Sequence, residues 1–171
     1  MTQRRIYQTE YPYFVTFVTV ERVWVFDDTG LAERMARTIV TSCELKGWLP
    51  MAFSILPDHV HLVAARVQST SRTLEKVRSE DYLFQSTLSR VRRSKQHRQE
   101  VSVSQLVQSI KGTFSRDIHE GRFWQPRFHA RIIISERQRL ATFTYVTHNY
   151  ARHDLPERYA TWPYVYRCTD H

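Results

Sequence analysis

"PDHVHLVAA", residues 57–65, carries two histidines one residue apart at the start of an apolar run. The proline and aspartate that open it are turn-forming residues. Apolar, strand-favouring residues stand on both sides of that turn, so a β-hairpin is predicted from Trp48–Leu56 and His59–Val67. Alternate residues of a strand share a face, so His59 and His61 project together from the second strand of this hairpin.

The segments around the hairpin predict the element order β-α-β-β-α-β-α. Outside the hairpin, the predicted elements are a strand in Tyr13–Phe26 with a turn or bulge near Glu21 and Arg22, a helix over Leu31–Leu45 ended by Gly47, a helix over Val103–Ile118, a strand over Phe123–Ile134 and a helix over Glu136–Ala151. The tail TWPYVYR is expected to pack through its aromatic residues. This order predicts an α+β fold with a ferredoxin-like antiparallel sheet and helices packed on one face.

The length of 171 residues fits one domain, residues 1–171. A polar, basic segment at about 67–100 differs in composition from its surroundings and is predicted to be an insertion within that domain.

The net charge of +8 is the strongest global feature, because basic domains of this size favour polyanions, chiefly nucleic acid. Solubility alone is the simpler explanation of the same charge. The two cysteines lack metal-site spacing and favour a reducing compartment. Neither a signal peptide nor a membrane-spanning run is recognised, so a cytoplasmic protein is expected.

Two imidazoles on one strand face can hold a divalent ion, although they can equally be a polar pair on a strand surface. No HExxH or CxxC pattern is present, which argues against a zinc protease. Tyr145 and Asn149 stand four residues apart in the last predicted helix, so they would share one face of it. A phenol and an amide facing two imidazoles suggest chemistry, whereas Tyr145 alone would be an ordinary aromatic at the edge of the core.

Four segments together resemble one family. "PDHVH" resembles the HUH motif of single-tyrosine transposases, and "FWQPRFHARII" resembles the Trp-Gln-x-x-Phe strand of the REP-associated tyrosine transposases. "YVTHN", residues 145–149, is similar to the Tyr-Ile-x-x-Asn nucleophile helix of that family, and "WPY", residues 162–164, to its Trp-Pro-Tyr tail. The resemblance extends over most of the chain outside residues 67–100.

The resemblance implies a metal-dependent mechanism. His59, His61 and Asn149 would bind Mg²⁺ or Mn²⁺, and Tyr145 would attack phosphorus to give a 5′-phosphotyrosine link and a free 3′-hydroxyl. The link retains the energy of the phosphodiester, so the reaction is strand transfer. The substrate would be single-stranded DNA beside a REP-type hairpin, and the protein would act as a monomer or a homodimer.

Basic residues supply candidate contacts to DNA phosphates. They are Arg90, Arg92, Arg93 and Lys95 of the basic segment, Lys111 and Arg116 of the following helix, and Arg127 and Arg131 of the fourth strand. The run at 90–98 can also be read as a solvated charged face.

One position departs from the family pattern, because Tyr150 stands where proline usually follows the asparagine. Without that proline the helix is free to continue through Arg152, which weakens the assignment of Asn149 more than that of Tyr145. Tyr150, with Asp154 four residues on, is the second-choice nucleophile. Two other functions stay open: a DNA-hairpin-binding protein that keeps the fold without cutting, and an RNA-binding domain, for which no RNP-like segment is found.

Overall fold

The computed structural model describes residues 11–67 and 101–168. The elements are β1 (Tyr13–Val18), α1 (Thr29–Lys46), β2 (Trp48–Leu56), β3 (His59–Arg66), α2 (Val103–Asp117), β4 (His129–Ile132), α3 (Glu136–Thr147), the single turn α4 (Asn149–Arg152) and β5 (Val165–Arg167). The predicted insertion at 67–100 lies almost entirely outside the described residues. No helix in the described ranges is long and apolar enough to cross a membrane.

The five strands form one antiparallel sheet in the order β4-β1-β3-β2-β5. β3 lies between β1 and β2, the two strands that α1 connects, and this is the split arrangement of a ferredoxin-like sheet. The predicted α+β fold is therefore confirmed. The aromatic tail packs as expected, with Tyr164 buried and β5 added to the free edge of β2.

α1 and α2 cover one face of the sheet, and both helices begin at a capping residue. Asp28 accepts the backbone N–H of Leu31 at the start of α1, and Gly47 ends the helix in the left-handed conformation (φ 72°). Ser102 and Gln105 form a capping box at the start of α2. The large core beneath these helices includes Tyr13, Val15 and Phe17, the alternate residues of β1.

α3 packs on the opposite face, whereas the sequence predicted that the helices pack on one face of the sheet. Phe143 and Val146 of this helix form a smaller cluster with Phe14 of β1 and Val63 of β3. His59 and His61 share the parity of Val63 in β3, so they lie on the face that α3 covers.

Three predicted boundaries are wrong. β1 ends at Val18 and is followed by a 3-10 turn over Val20–Arg22, with no strand beyond it. The predicted strand 123–134 contains only the four residues of β4, because Pro126 cannot donate a ladder hydrogen bond; Trp124 forms one isolated bridge to Thr19. The last long helix stops at Thr147 instead of reaching Ala151.

Candidate active site

The sheet brings the two histidines to its centre. In the register of the sheet, His61 lies between Thr16 of β1 and Ser54 of β2, and His59 lies between Val18 and Leu56. Both imidazoles are buried, and their ring centroids are 4.8 Å apart. The predicted shared orientation is thus realised on a central strand, where both neighbours restrict the side chains.

Each imidazole is held through its Nδ1 atom. His59 Nδ1 lies 2.5 Å from Asp58 Oδ1, and His61 Nδ1 lies 2.8 Å from Thr16 Oγ1. A carboxylate only accepts hydrogen bonds, so His59 Nδ1 carries the proton and its Nε2 keeps a lone pair. The same tautomer of His61, with Nδ1–H donating to the threonine hydroxyl, leaves both Nε2 atoms able to bind a metal ion.

Arg22 completes a chain of polar contacts behind His59. Its guanidinium donates to Asp58 Oδ2 at 2.6 Å. The backbone N–H and the hydroxyl of Thr19 both donate to the carbonyl of Asp58, at 2.9 and 3.0 Å. The turn that follows β1 therefore fixes the residue that orients His59.

Burial keeps both imidazoles neutral. It lowers the pKa of His61 to about 3, assisted by the neighbouring imidazoles of His59 and His153. Burial also lowers the pKa of His59, although Asp58 opposes that shift. For Asp58 burial favours the neutral acid, but its contacts with His59 and Arg22 outweigh burial and lower the pKa of the carboxyl. The neutral form of imidazole is the one that ligates metals.

Tyr145 reaches the histidine pair from α3. Its hydroxyl lies 3.4 Å from His61 Nε2, and its ring packs against His61 and Phe14 with centroids 5.2 and 5.9 Å away. The guanidinium carbon of Arg152 lies 5.4 Å from the centroid of the same ring. The structure thus brings together the phenol and the imidazoles that the sequence analysis singled out.

Asn149 lies beyond a break in the helix. α3 ends at Thr147 and is capped by His148 (φ −112°, ψ 13°). Thr147 Oγ1 donates to the carbonyl of Phe143, and the backbone N–H of His148 donates to the carbonyl of Thr144. Asn149 begins the separate turn α4, so it is not one helical turn from Tyr145 as predicted. The helix breaks here without the proline of the family pattern.

The amide of Asn149 is the most conspicuous polar group near this break. The residue is 1% exposed, and neither Oδ1 nor Nδ2 has a hydrogen-bond partner in the structure. An unsatisfied buried amide costs about 1–3 kcal/mol. Ser54 Oγ, which the register places beside His61, is also buried without a partner. These buried polar atoms have no partner among the described residues.

His59 and His61 can form a three-ligand site for a divalent cation only if the amide of Asn149 takes part. Within the described ranges, no group of three or more histidine, cysteine, aspartate or glutamate side chains is placed to hold a metal ion. An amide oxygen is a ligand that Mg²⁺ and Mn²⁺ prefer, whereas neutral imidazoles are more typical ligands of zinc, copper, iron and nickel. The metal role of His59, His61 and Asn149 stays a prediction that the free Asn149 oxygen supports.

The two candidate nucleophiles face different cores. Tyr145 packs against the smaller cluster beside the histidines, whereas Tyr150 packs against the large cluster on the other face of the sheet. Asp154, predicted as a partner of Tyr150, is exposed and left-handed (φ 51°). This separation favours Tyr145, and Tyr150 remains the second choice.

Several site residues were not found from the sequence. Thr16 and Ser54 depend on strand register, and Arg22 depends on the turn after β1. His153 comes within 5.7 Å of His59, measured between ring centroids. Among these site residues, only Asp58 could be suspected from the sequence, because it directly precedes His59.

The predicted DNA contacts occupy varied environments. Lys111 donates to the carbonyl oxygens of Gln125 and Pro126, and burial lowers the pKa of its ammonium group. Arg131 lies over the ring of Phe14, with 4.9 Å from its guanidinium carbon to the ring centroid, and donates to Thr142. Arg116 and Arg127 are exposed. Arg90, Arg92, Arg93 and Lys95 lie outside the described residues.

Comparison with known proteins gives structural matches alone. No protein-family model and no curated protein matches the sequence. A solved structure of a REP-associated tyrosine transposase bound to a REP hairpin matches with a TM-score of 0.64 and 19% identity, over 96% of this chain and 81% of that chain. A structure described as "a putative transposase" from Deinococcus radiodurans R1 matches with a TM-score of 0.47 and 18% identity, over 91% of this chain and 98% of that one. The chain thus shares the fold of a REP-associated tyrosine transposase.

Proposed function

We propose that the protein is a transposase-type enzyme that nicks single-stranded DNA and transfers the cut strand through a tyrosine. The observation that carries the proposal is the meeting of Tyr145 with His61, with 3.4 Å between the phenol oxygen and Nε2. The phenol and the imidazoles come from separate elements, α3 and β3. A helix that places a phenol beside one of two neighbouring buried imidazoles is suited to nucleophilic attack at a polarised phosphate.

The chemistry assigned to Tyr145 is a phosphoryl transfer. The phenol gives up its proton to solvent as its oxygen forms a bond to phosphorus. The bond from phosphorus to the 3′-oxygen breaks, and that oxygen leaves as a hydroxyl after taking up a proton. Attack of another 3′-hydroxyl on the phosphotyrosine reverses these steps and joins a new strand.

His59, His61 and Asn149 would hold the divalent ion, Mg²⁺ or Mn²⁺. An ion bound there would polarise a non-bridging oxygen of the scissile phosphate. The chain's own contribution is to keep both imidazoles neutral by burial and to fix their orientation through Asp58 and Thr16. The amide oxygen of Asn149 has no internal partner to displace.

The proposed substrate is single-stranded DNA next to a folded hairpin. The structural neighbour was solved with a REP hairpin, and this chain carries a net charge of +8. Exposed arginines at positions 116 and 127 are available to DNA phosphates.

A covalent-adduct assay tests the proposal. The protein is incubated with labelled single strands containing hairpins, with Mg²⁺ or Mn²⁺, and separated on a denaturing gel. We expect a metal-dependent adduct that is absent from Tyr145→Phe and His59→Ala. Tyr150→Phe is the matched control, because it removes a phenol five residues away and should leave the adduct intact.

Three outcomes would redirect the assignment. An adduct lost in Tyr150→Phe but kept in Tyr145→Phe would make Tyr150 the nucleophile in place of Tyr145. Tight hairpin binding without an adduct on any substrate would favour the non-cutting DNA-hairpin binder. An adduct formed on RNA in preference to DNA would favour RNA processing.

A further inference from the structure

The turn after β1 exposes a tryptophan next to the candidate active site. Trp24 is 66% exposed, and Val23 beside it is also exposed. Glu21 and Arg22, just before them, adopt left-handed conformations with φ of 53° and 55°. Such backbone costs about 1–3 kcal/mol at a residue other than glycine, so the surrounding structure must hold this turn in place.

Hydrogen bonds fix the turn at both ends. Val20 N donates to the carbonyl of Phe123 at 2.9 Å, and the backbone N–H groups of Val25 and Phe26 both donate to that of Pro57 at 3.0 Å. Phe26 is fully buried in an aromatic cluster. The backbone on both sides of the exposed Trp24 is therefore held by hydrogen bonds. Large aromatic side chains presented in this way are suited to stacking on unpaired bases.

A basic cavity adjoins the same turn. It has a volume of about 670 Å³ and is lined by the last turns of α2 and by the segment that leads to Phe123 and Trp124. Arg116 and Arg122 lie in its wall, and both are exposed; Glu120 is the one carboxylate among the lining residues. In the described part of the chain neither guanidinium is paired with a carboxylate. Their charges are thus available to an anion.

We propose that Trp24 and this cavity form a second subsite for single-stranded DNA, in which Trp24 stacks on an unpaired base and Arg116 and Arg122 contact the phosphates of neighbouring nucleotides. The inference rests on the proposed function, because the bound strand is the one that also carries the scissile phosphate.

The route of the strand follows from the hydrogen bonds of the turn. Its first residue is bonded to Phe123 in the cavity wall, and its last residues are bonded to Pro57, two positions before His59. Trp24 is thus carried by a segment that connects the cavity with the histidine pair. The histidines and α2 lie on opposite faces of the sheet, so a strand held at the histidines would have to pass around the end of the sheet, over this turn, to place its next phosphates at the cavity.

Binding of a fluorescent oligodeoxythymidylate, measured in EDTA so that no cleavage occurs, tests the subsite. Trp24→Ala should weaken binding about fivefold or more, which is the lower end of the effect of losing one base–aromatic stack. Trp24→Phe should keep most of the affinity. Trp162→Ala is the matched control, since Trp162 is 45% exposed and lies outside this turn. Arg122→Gln should weaken binding, whereas Arg37→Gln, which removes an exposed charge from α1, should not.

The results separate the subsite from the chemistry. Binding by Trp24→Ala equal to wild type, equal losses in Trp24→Ala and Trp162→Ala, or no binding by wild type would each overturn the subsite. A selective loss in Trp24→Ala, with no covalent adduct formed by wild type, would support the subsite while refuting the proposed strand transfer. Unchanged melting temperatures would show that the variants are folded.

Discussion

Asp58 contacts both His59 and Arg22, so one carboxylate orients an imidazole and is itself held by a guanidinium. Partners that orient metal-binding histidines typically contribute 10–100-fold to metal affinity or activity. We therefore expect Asp58→Asn to raise the Mn²⁺ concentration for half-maximal adduct formation about 10–100-fold. Glu33→Gln, which changes a carboxylate paired with Arg37 on α1, serves as the control. An unchanged metal dependence in Asp58→Asn would show that the carboxylate does not act through His59.

Burial of His61 also predicts how stability depends on pH. Its pKa falls from an ordinary 6.5 to about 3 on folding, so between these values the unfolded chain binds a proton that the folded chain does not. The effect of His61 does not reduce the free energy of unfolding above pH 6.5. As pH drops from 6.5 towards 3, that free energy falls by about 1.4 kcal/mol per pH unit for this one proton. Urea unfolding in EDTA at pH 7 and pH 5 should show a smaller difference for His61→Asn than for wild type. His129→Asn, at an exposed position of β4, should keep the wild-type difference.

Residues of the site differ in how far the sequence could reveal them. The shared face of His59 and His61 follows from strand alternation, which is local. Thr16, Ser54 and His153 meet the pair only through register and tertiary packing, which no short motif encodes. Asn149 was singled out by its spacing from Tyr145 and given a metal role by the family resemblance, but its burial without a partner required the structure.

At the scale of elements, α1, α2 and the hairpin could be predicted because their signals are local: apolar spacing marks the two helices, and turn residues mark the hairpin. Asp28, Gly47 and Ser102 act on the adjacent backbone, and Pro57 and Asp58 mark the hairpin turn. The end of α3 carries no such signal. Side-chain hydrogen bonding by Thr147 competes with the helical pattern near the break, and the sequence pattern there stays helical to Ala151.

The docking of α3 depends on a small apolar contact, which makes it open to a direct test. Phe143 is buried against Phe14 and Val63, whereas Leu140 of the same helix is 51% exposed. We expect Phe143→Ala to lower the free energy of unfolding by about 3–5 kcal/mol, as for other buried aromatic residues. Leu140→Ala should change it by no more than about 0.5 kcal/mol. Urea unfolding measures both, and similar losses would contradict the packing of α3 on the sheet.

Across the whole molecule, the two faces of the sheet are covered unequally. α1 and α2 seal a large core, whereas α3 is held by a smaller cluster around Phe14, Phe143 and Val146. Regions with fewer buried apolar contacts open at lower free energy than the core. The helix that carries Tyr145 is therefore expected to be the less stable cover of the sheet.

Hydrogen exchange followed by mass spectrometry tests whether α3 is less stable than the helices on the other face of the sheet. Amides of α3 should exchange faster than amides of α1, because α3 can leave the sheet without exposing the large core. The difference should widen in Phe143→Ala, which weakens only the smaller cluster. The comparison is best made in EDTA, so that a metal ion held by His59 and His61 does not tie Asn149 and the end of α3 to β3. Equal exchange in both helices, with a single cooperative opening, would show that α3 belongs to the same stability unit as the core. Tyr145 would then meet its substrate on a fixed helix rather than on one that can separate from the sheet.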